Sequence, residues 1–330
     1  MYRATWRRSA VVAAVAASLF IGSAAQAAAT PEHGRVSTAF EIPGDRVYPE
    51  GIAADPHTGD IYVGAYEGGA IFKVTRGQRV AKEFLPSDGR AHALGLEVDR
   101  ARRLWVADRN TGVAVYDIPR QRLIARFVVP RDADRLINDV AIAPDGTAYI
   151  TESRRAEVYR VTPRQLEEAR DHDGPVPITP AFDLSGHLDP REPGAITLNG
   201  IVAAPTGRYL LTVDMTGGDL YRIELPSGRV SRVALRGGDL NRSDGMELRN
   251  GTLWVAHPIL DANAISRWSI GKDGRTAQMT RRITDQALQL PTTMVRTHGG
   301  LYVVRSQFDK GGPSGEGTPQ LPFSIAFVRI

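Results

Sequence analysis

A short strand pattern recurs six times along this chain, and this recurrence constrains the fold more than any other feature. Each copy is an apolar segment rich in β-branched and aromatic residues: 61–65, 104–108, 148–152, 209–213, 253–257 and 301–305. Turn signals precede the copies. Two of these signals, Asp145-Gly146 and Asn250-Gly251, are dipeptides that adopt the positive φ of hairpin turns at low cost. Self-similarity of this kind predicts an array of equivalent units.

Each unit contains four strand patterns, and the recurring segment is the second of them. The first strands are 51–54, 95–98, 139–142, 200–203, 245–248 and 293–295. The third strands are 70–75, 113–118, 157–162, 219–224, 264–270 and 323–330. The fourth strands are 79–85, 123–129, 178–184, 230–235 and 279–284.

The sixth unit ends with the chain after its third strand, and residues 36–42 offer the missing fourth strand from the other terminus. Six such units predict an all-β fold, a six-bladed β-propeller whose last blade is closed by the N-terminal strand. This closure removes exposed sheet edges. A β-sandwich is the alternative, but a sandwich gives no reason for a fixed repeat. No blade can bury its faces alone, so we expect a single domain over residues 28–330.

One unit carries an insertion with a helix signal. Thr162 matches an N-cap, and Pro163 takes the first helical position, where proline is favoured. A short helix is therefore expected over residues 163–170. Insertions of this kind commonly decorate one face or cover a site.

The first 27 residues match a signal peptide. Arg3, Arg7 and Arg8 precede an apolar run over 10–22, and Ala25-Gln26-Ala27 matches a small-x-small cleavage site. A membrane anchor is the alternative, but the run is too short for one. We expect a secreted protein that has no membrane association after signal removal. The general secretory route is favoured, and the Arg7-Arg8 pair leaves twin-arginine export open.

Composition excludes several function classes. The chain has no cysteine, which removes disulfide scaffolds, zinc–thiolate sites and thiol catalysis. Removing the three arginines of the signal segment lowers the formal net charge from +4 to +1, so nucleic acid is not an expected partner. No paired-histidine metal motif, G-x-S-x-G motif or glycine-rich phosphate loop occurs. We expect a monomer that acts on a small molecule.

The residue before each first strand defines six positions, which we call the ring positions. They are Glu50, Leu94, Asn138, Asn199, Asp244 and Thr292. The first strand of a propeller blade lines the central channel, so these positions should surround one end of it. Four of them offer hard oxygen ligands, and their two carboxylates give a charge that matches one divalent cation. Oxygen ligands favour Ca²⁺ over zinc or copper. The alternative is that these residues cap turns at the strand starts.

Four segments in order resemble the metal-site motifs of the SMP-30/gluconolactonase/luciferin-regenerating-enzyme family, to which diisopropylfluorophosphatase is related. They are Pro49-Glu50-Gly51, Asn138-Asp139, Leu198-Asn199-Gly200 and Ser243-Asp244-Gly245-Met246. The resemblance implies a six-bladed propeller with one catalytic Ca²⁺ or other divalent ion. It also implies hydrolysis of lactones or, in the relatives, phosphotriester-like esters.

The resemblance also assigns roles to residues. Glu50, Asn199 and Asp244 match the family's metal ligands, and Asp244 matches the residue given the base or nucleophile role. Asn138 matches a position that touches the metal directly or through water and substrate. Some members carry an arginine two residues before this asparagine, whereas here Arg135 lies three residues before it. This departure bears on substrate recognition rather than on metal binding.

Loops after the second strands should open at the same end of the channel as the ring positions. We expect Asp244, Asn138 and His257 to be catalytic, and Arg109 and Arg135 to bind substrate. His257 is selected because an imidazole with its ordinary pKa suits proton transfer near neutral pH. The predicted function is a secreted, Ca²⁺-dependent lactonase or esterase for a sugar lactone or similar cyclic ester. The alternative is a non-catalytic secreted propeller in which Ca²⁺ is structural.

Overall fold

The computed structural model describes residues 36–130, 135–297 and 299–330, together with Met1. The described residues from Val36 onward form one compact unit. The predicted signal peptide over residues 1–27, and the predicted domain boundary at residue 28, lie outside the described residues. Within the described part of the chain, no helix has the length and apolar character needed to cross a membrane.

Strand β1 (Val36–Ile42) precedes the first blade in sequence, and the described residues contain 26 strands in six sheets. Blade 1 contains β2 (Pro49–Ala54), β3 (Ile61–Ala65), β4 (Ile71–Val74) and β5 (Lys82–Leu85). Blade 2 contains β6 (Leu96–Val98), β7 (Arg103–Asp108), β8 (Gly112–Asp117) and β9 (Arg122–Val128). Blade 3 contains β10 (Ile137–Ile142), β11 (Ala148–Glu152) and β12 (Glu157–Val161). After helix α1 (Pro163–Arg170) and strand β13 (Val176–Pro177), β14 (Pro180–Asp183) completes blade 3.

The second half of the chain repeats this arrangement. Blade 4 contains β15 (Leu198–Ala203), β16 (Tyr209–Asp214), β17 (Asp219–Glu224) and β18 (Val230–Arg232). After β19 (Ala234–Arg236), blade 5 contains β20 (Met246–Arg249), β21 (Thr252–His257), β22 (Ala264–Ile270) and β23 (Thr276–Thr284). Blade 6 contains β24 (Met294–Thr297), β25 (Gly300–Val304) and β26 (Phe323–Val328), with β1 as its fourth strand. The predicted six-bladed propeller is confirmed.

Blade 6 closes as predicted, because β1 pairs antiparallel with β26 from Val36–Val328 to Ile42–Phe323. Phe40 and Ile42 of β1 are buried in the cluster that also contains Ile325. The Arg305 guanidinium donates to the Thr38 hydroxyl at 2.8 Å and so ties β1 to the second strand of the blade. The two chain ends are thus joined by hydrogen bonds and by apolar packing.

Two fifth strands depart from the predicted four-stranded blades. Strand β13 pairs in parallel with β9 of blade 2, and β19 pairs in parallel with β23 of blade 5. The fourth strand predicted over residues 230–235 is therefore wrong in part: it ends at Arg232, and the chain continues into the neighbouring blade as β19. Val233 N still donates to Leu220 O of blade 4, whereas Ala234 N donates to Arg275 O at 2.9 Å beside β23, so the backbone leaves the blade 4 ladder between these two residues.

The predicted helix is confirmed as α1. Thr162 caps its N-terminus by accepting from Gln165 N, and the Gln165 side chain accepts from Thr162 N, which completes a capping box. Leu166 and Ala169 are the buried residues of the helix, and they join the apolar cluster that contains Phe127 of β9. The insertion thus covers the outer edge of blade 2.

Candidate metal and active site

The innermost strands carry irregularities where the ring positions lie. The pairing register shifts between Pro49 and Ile52, between Ile137 and Val140, and between Leu198 and Ile201. Three ring residues therefore lie within β-bulges: Glu50, Asn138 and Asn199. A bulge leaves a residue without its ladder partner and changes the direction of its side chain. At the bulges, these side chains do not follow the pattern of a regular strand, in which successive side chains point to opposite faces of the sheet.

Glycines after the ring positions allow the inner strands to approach one another closely. A Cβ atom at Gly51 would lie 1.9 Å from Leu94 O, and one at Gly200 would lie 2.5 Å from Asp244 O. A Cβ atom at Gly245 would lie 2.1 Å from the Thr293 hydroxyl. No side chain fits at these distances, so glycine is required there. The close approach brings the ring residues of neighbouring blades together at one end of the channel.

The two ring carboxylates lie in a buried environment without a positive partner. Glu50 is 7% exposed and Asp244 is 8% exposed, and Glu50 Oε2 has no hydrogen-bond partner among the described residues. Burial raises the pKa of Glu50 well above its usual range, and the charges of Asp244 and Asp139 raise it further. Burial, followed by the charge of Asp139, raises the pKa of Asp244 to about 8. Each carboxylate is thus close enough to other acids to resist ionisation.

The carboxamides of Asn138 and Asn199 are oriented by partners that accept hydrogen bonds. Asn138 Nδ2 donates to Ser153 Oγ at 3.1 Å, and this hydroxyl donates its own proton to Leu198 O at 2.5 Å. Asn199 Nδ2 donates to the Met215 thioether at 3.5 Å, and sulfur in a thioether cannot donate. Both NH₂ groups therefore face these partners. The Asn199 Oδ1 atom is buried and has no hydrogen-bond partner among the described residues.

These observations fit a divalent cation. Buried oxygens of Glu50 and Asn199 are unsatisfied, and buried polar atoms are normally hydrogen-bonded. Asn199 lies close enough to Asp244 to act on its pKa. The donor set contains only oxygens, as hard cations prefer. The described residues contain no cluster of three or more histidine, aspartate and glutamate side chains at metal-binding distance, so the carboxamides would have to complete the ligand set.

The orientation of Asn138 leads to a prediction about Ser153, which is fully buried. We expect Ser153→Ala to weaken Ca²⁺ affinity by about 10-fold, in the range typical of outer-shell changes, because Asn138 loses the acceptor that fixes its amide. The control is Ser266→Ala, another fully buried serine, which lies beside His257 in blade 5. Calorimetric titration of both variants measures the effect. Equal Ca²⁺ affinity in Ser153→Ala and the wild type would contradict this role.

The raised pKa values of Glu50, Asp139 and Asp244 predict an unusual pH dependence. Each group holds its proton more tightly when folded than when unfolded, so it stabilises the fold at low pH and this contribution is lost as pH rises through the folded pKa. We expect the melting temperature of the chelator-treated protein to fall between about pH 4 and pH 8, from the ordinary pKa of these carboxyl groups up to the raised pKa of Asp244. Ca²⁺ should remove this loss, because it binds the deprotonated form. Melting curves at a series of pH values, with and without Ca²⁺, measure this dependence. A melting temperature of the chelator-treated protein that does not change with pH would contradict the prediction.

The structure places His257 outside the ring. Its side chain is fully buried, and its Nε2 is paired with Ser266 Oγ at 2.7 Å. Burial lowers the pKa of His257 to about 4, with the charge of Arg282 as a second cause. A neutral imidazole without solvent contact is poorly placed to exchange a proton with a bound molecule. Its sequence position at the end of β21 gave no signal of this burial.

The two arginines predicted to bind substrate differ in their surroundings. Arg135 is engaged with backbone carbonyls, because its guanidinium donates to Asn110 O at 2.6 Å and to Val129 O at 2.5 Å. Arg109 is partly exposed and donates to the Asn110 side chain at 3.1 Å. Arg109 is also close enough to Tyr66 to lower the pKa of that residue against the effect of burial. The backbone of Arg109 lies beside the ring residue Asn138, because Ile137 N donates to Arg109 O at 3.1 Å, whereas the Arg135 side chain anchors a loop.

Acids at the ends of the second strands serve as turn caps. Asp108 accepts from the Thr111 hydroxyl at 2.8 Å, Glu152 accepts from Arg155 N at 2.6 Å, and Asp214 accepts from Gly217 N at 3.0 Å. All three are buried. Their oxygens are therefore satisfied by the local backbone and side chains, unlike those of Glu50 and Asn199.

An aromatic group at this end of the channel was not predicted from the sequence. The ring centroids of Tyr66 and His92 are 4.6 Å apart, and those of Tyr66 and Phe308 are 4.9 Å apart. His92 Nδ1 lies 2.6 Å from Tyr66 O, which can only accept, so this nitrogen carries the proton. The three residues come from three blades, and no local pattern in the sequence links them.

Comparisons with known proteins identify the relatives of this chain. The profile of the family described as SMP-30/Gluconolactonase/LRE-like region matches residues 48–289. A gluconolactonase from Xanthomonas campestris superposes with a TM-score of 0.61 at 16% identity, covering 89% of this chain and 89% of that chain. No curated protein matches.

Two further structures share the fold. Regucalcin from Agrobacterium tumefaciens, described as a calcium-binding protein, has a TM-score of 0.59 at 16% identity and covers 89% of this chain and 96% of its own. Virginiamycin B lyase from Staphylococcus aureus has a TM-score of 0.55 at 13% identity, with 89% and 99% covered. At these identities the likeness shows the fold alone, and the three proteins are described as a gluconolactonase, a calcium-binding protein and a lyase.

Proposed function

The chain belongs to the SMP-30/gluconolactonase/LRE-like family, and from this premise we propose that it is a divalent-metal-dependent hydrolase of lactones or similar cyclic esters. Glu50, Asn138, Asn199 and Asp244 would hold the cation, with Ca²⁺ as the expected ion. The observation that carries the proposal is the pair of buried, unsatisfied oxygens, Glu50 Oε2 and Asn199 Oδ1, beside a second buried carboxylate. The family match supports the reaction type.

The proposed reaction opens the ester ring with water. When bound, the cation supplies positive charge that keeps Asp244 ionised at neutral pH and stabilises the oxyanion of the tetrahedral intermediate. Asp244 accepts a proton from the attacking water as the water oxygen bonds to the carbonyl carbon. The ring C–O bond then breaks, and the departing alkoxide takes this proton. The product is an open-chain hydroxy acid, and Asp244 returns to its starting form.

The surrounding residues divide into two groups in this proposal. Ser153 and Met215 are positioning residues that hold the carboxamides of Asn138 and Asn199 in place. Arg109 is retained as a substrate-binding residue, because it is partly exposed near Tyr66. His257 is assigned a structural role, since its contacts are internal.

A panel of substrates tests this function. The metal-loaded protein is assayed with δ-gluconolactone, δ-valerolactone, γ-butyrolactone, an aryl acetate and a phosphotriester, each with and without chelator. We expect hydrolysis of at least one lactone above the spontaneous rate, loss of this hydrolysis with chelator, and recovery when Ca²⁺ is added back. Absence of turnover for every compound, or turnover that chelator does not affect, would contradict the proposal.

A calcium-binding propeller without catalysis is the second candidate function. It is favoured by the structural similarity to regucalcin, which is described as a calcium-binding protein. The substrate panel separates the two candidates when it is combined with a Ca²⁺ titration. Binding of one ion per chain without turnover of any compound would select the second candidate.

Export of the protein forms a separate part of the proposal. The arginine-rich start, the apolar run and Ala25-Gln26-Ala27 support removal of residues 1–27 and release of the remaining chain. Expression of the full chain followed by N-terminal sequencing of the extracellular protein tests this. A mature protein that begins at Ala28 is expected, and retention of residue 1 in the extracellular fraction would contradict it.

A further inference from the structure

The ring end of the channel has two unlike sectors. The ring positions on either side of Glu50 are Leu94 and Thr292, which offer no carboxylate or carboxamide. Thr292 donates its hydroxyl to Glu50 O at 2.8 Å, and Leu94 is buried in an apolar cluster. The carboxamide ligand candidates therefore come from blades 3 and 4. The sector of blades 6, 1 and 2 is left without metal-binding side chains other than Glu50.

This second sector is covered by three aromatic side chains that we call the aromatic wall: Tyr66, His92 and Phe308. Tyr66 follows β3 and Phe308 follows β25, while His92 precedes β6. Tyr66 occupies the centre, with its ring 4.6 Å from His92 and 4.9 Å from Phe308. Backbone bonds hold it at the level of the ring, because Tyr66 N donates to Tyr48 O at 3.0 Å.

The aromatic wall is next to the proposed metal site. The residues next to Tyr66 and His92 are hydrogen-bonded together, because Ala93 N donates to Ala65 O at 3.0 Å, and Ala65 pairs with Pro49, the residue before Glu50. All three aromatic side chains are partly exposed. The neighbouring Leu94 packs with Tyr66 in the same apolar cluster, so the wall continues into the core behind it. A molecule bound at Glu50 and Asp244 therefore has an aromatic surface on one side.

We propose that the aromatic wall is a specificity subsite that binds a planar ring fused or attached to the ester group of the substrate. The inference rests on the proposed function for the position of the ester. Aromatic rings prefer offset or edge-to-face contacts with centroids 4.5–7 Å apart, which are the contacts the wall makes within itself. A planar ring on the substrate adds one more aromatic contact of this kind. The positively charged guanidinium of Arg109 is nearby and can bind a hydroxyl or carboxylate substituent on the substrate ring.

Matched lactams test the subsite without requiring turnover. The probes are 3,4-dihydro-2-quinolinone and 2-piperidone, which share a six-membered lactam ring and differ in a fused benzene ring. We expect the fused compound to bind the Ca²⁺-loaded protein about 2- to 12-fold more tightly, since aromatic contacts add roughly 0.5–1.5 kcal/mol and 1.4 kcal/mol is tenfold. Tyr66→Ala and Phe308→Ala should abolish this preference, and Tyr66→Phe should keep it.

The control variant is Tyr302→Ala. Tyr302 is a partly exposed aromatic residue of β25 that contacts Phe40 and Phe327 instead of the wall. The Tyr302→Ala variant should keep the preference for the fused lactam unchanged. Ca²⁺ affinity should be unchanged in every aromatic variant, which separates a subsite role from a role in the metal site.

Three results would overturn the subsite. They are equal binding of the two lactams by the wild type, a preference that survives both Tyr66→Ala and Phe308→Ala, and self-association of the chain that Tyr66→Ala removes. The last result would assign the wall to a second copy of the chain. Kinetics with dihydrocoumarin and δ-valerolactone add a separate readout of turnover. Failure of hydrolysis with intact lactam preference would contradict the proposed function and leave the subsite standing.

Discussion

Replacing Asp244 with asparagine is expected to lower kcat/KM by about 10³-fold or more. General-base catalysis alone contributes roughly 10²–10⁴-fold, and the variant also loses one charge of the metal site. The size of the side chain and one oxygen are kept, so the effect reports on charge and proton transfer. Steady-state kinetics with the best lactone of the panel measure it. Asp108→Asn is the matched control, because Asp108 is also a buried acid and caps a turn.

The same variant should have the opposite effect on the metal-free fold. Asp244 is buried, and its burial together with the charge of Asp139 opposes its ionisation, while its own charge opposes that of Glu50. Removing its charge should therefore raise the melting temperature of chelator-treated protein near pH 8, while Ca²⁺ no longer stabilises the variant. A variant with unchanged activity, or one whose melting temperature falls in chelator and still rises normally with Ca²⁺, would contradict the assignment of Asp244.

Loss of the closing strand β1 is expected to have the largest effect on stability. Deletion of residues 28–42 removes the partner of β26 and exposes the cluster that contains Phe323 and Ile325. We expect the deleted protein to aggregate or to lose cooperative unfolding, since an unpaired apolar edge associates with other chains. A melting temperature equal to that of the full chain would contradict closure as a source of stability.

Point variants in β1 give the same test where the deletion fails to fold. Phe40→Ala should destabilise the protein by about 3–5 kcal/mol and Ile42→Ala by about 2–5 kcal/mol, as is typical of buried large-to-small changes. Glu41→Ala is the control, because the Glu41 side chain lies on the exposed face of the same strand. Its effect should stay within about 0.5 kcal/mol. Denaturant unfolding compares the three.

The blade architecture could be predicted because each strand repeats its own local pattern. Alternating apolar residues and Asn-Gly or Asp-Gly turns specify a hairpin without reference to the rest of the chain, and β3, β11 and β17 match their predicted bounds. The fifth strands could not be predicted in this way. Strands β13 and β19 pair in parallel with a neighbouring blade, and their pairing depends on where the insertion and the connecting segment pass in space.

In the candidate site, too, some features could be predicted from the local sequence and others depend on contacts between strands and blades. Glu50, Asn138, Asn199 and Asp244 were found from the sequence because they occupy one phase of the repeat, and their roles as ligands stay predictions. The bulges around Glu50, Asn138 and Asn199 depend on pairing with a second strand, which the pattern of one strand does not encode. The burial of His257 and the grouping of Tyr66 with Phe308 arise from packing between blades, so neither has a local signal.

The central claim is that the ring residues hold one divalent cation, and a calorimetric Ca²⁺ titration of chelator-treated protein tests it most directly. We predict one ion per chain for the wild type. Glu50→Gln should weaken binding by more than the roughly 10–100-fold typical of outer-shell changes, because Glu50 Oε2 is a buried oxygen without another partner. The control Asp108→Asn should bind as the wild type does. Absence of binding by the wild type, or equal affinity in Glu50→Gln, would contradict the account.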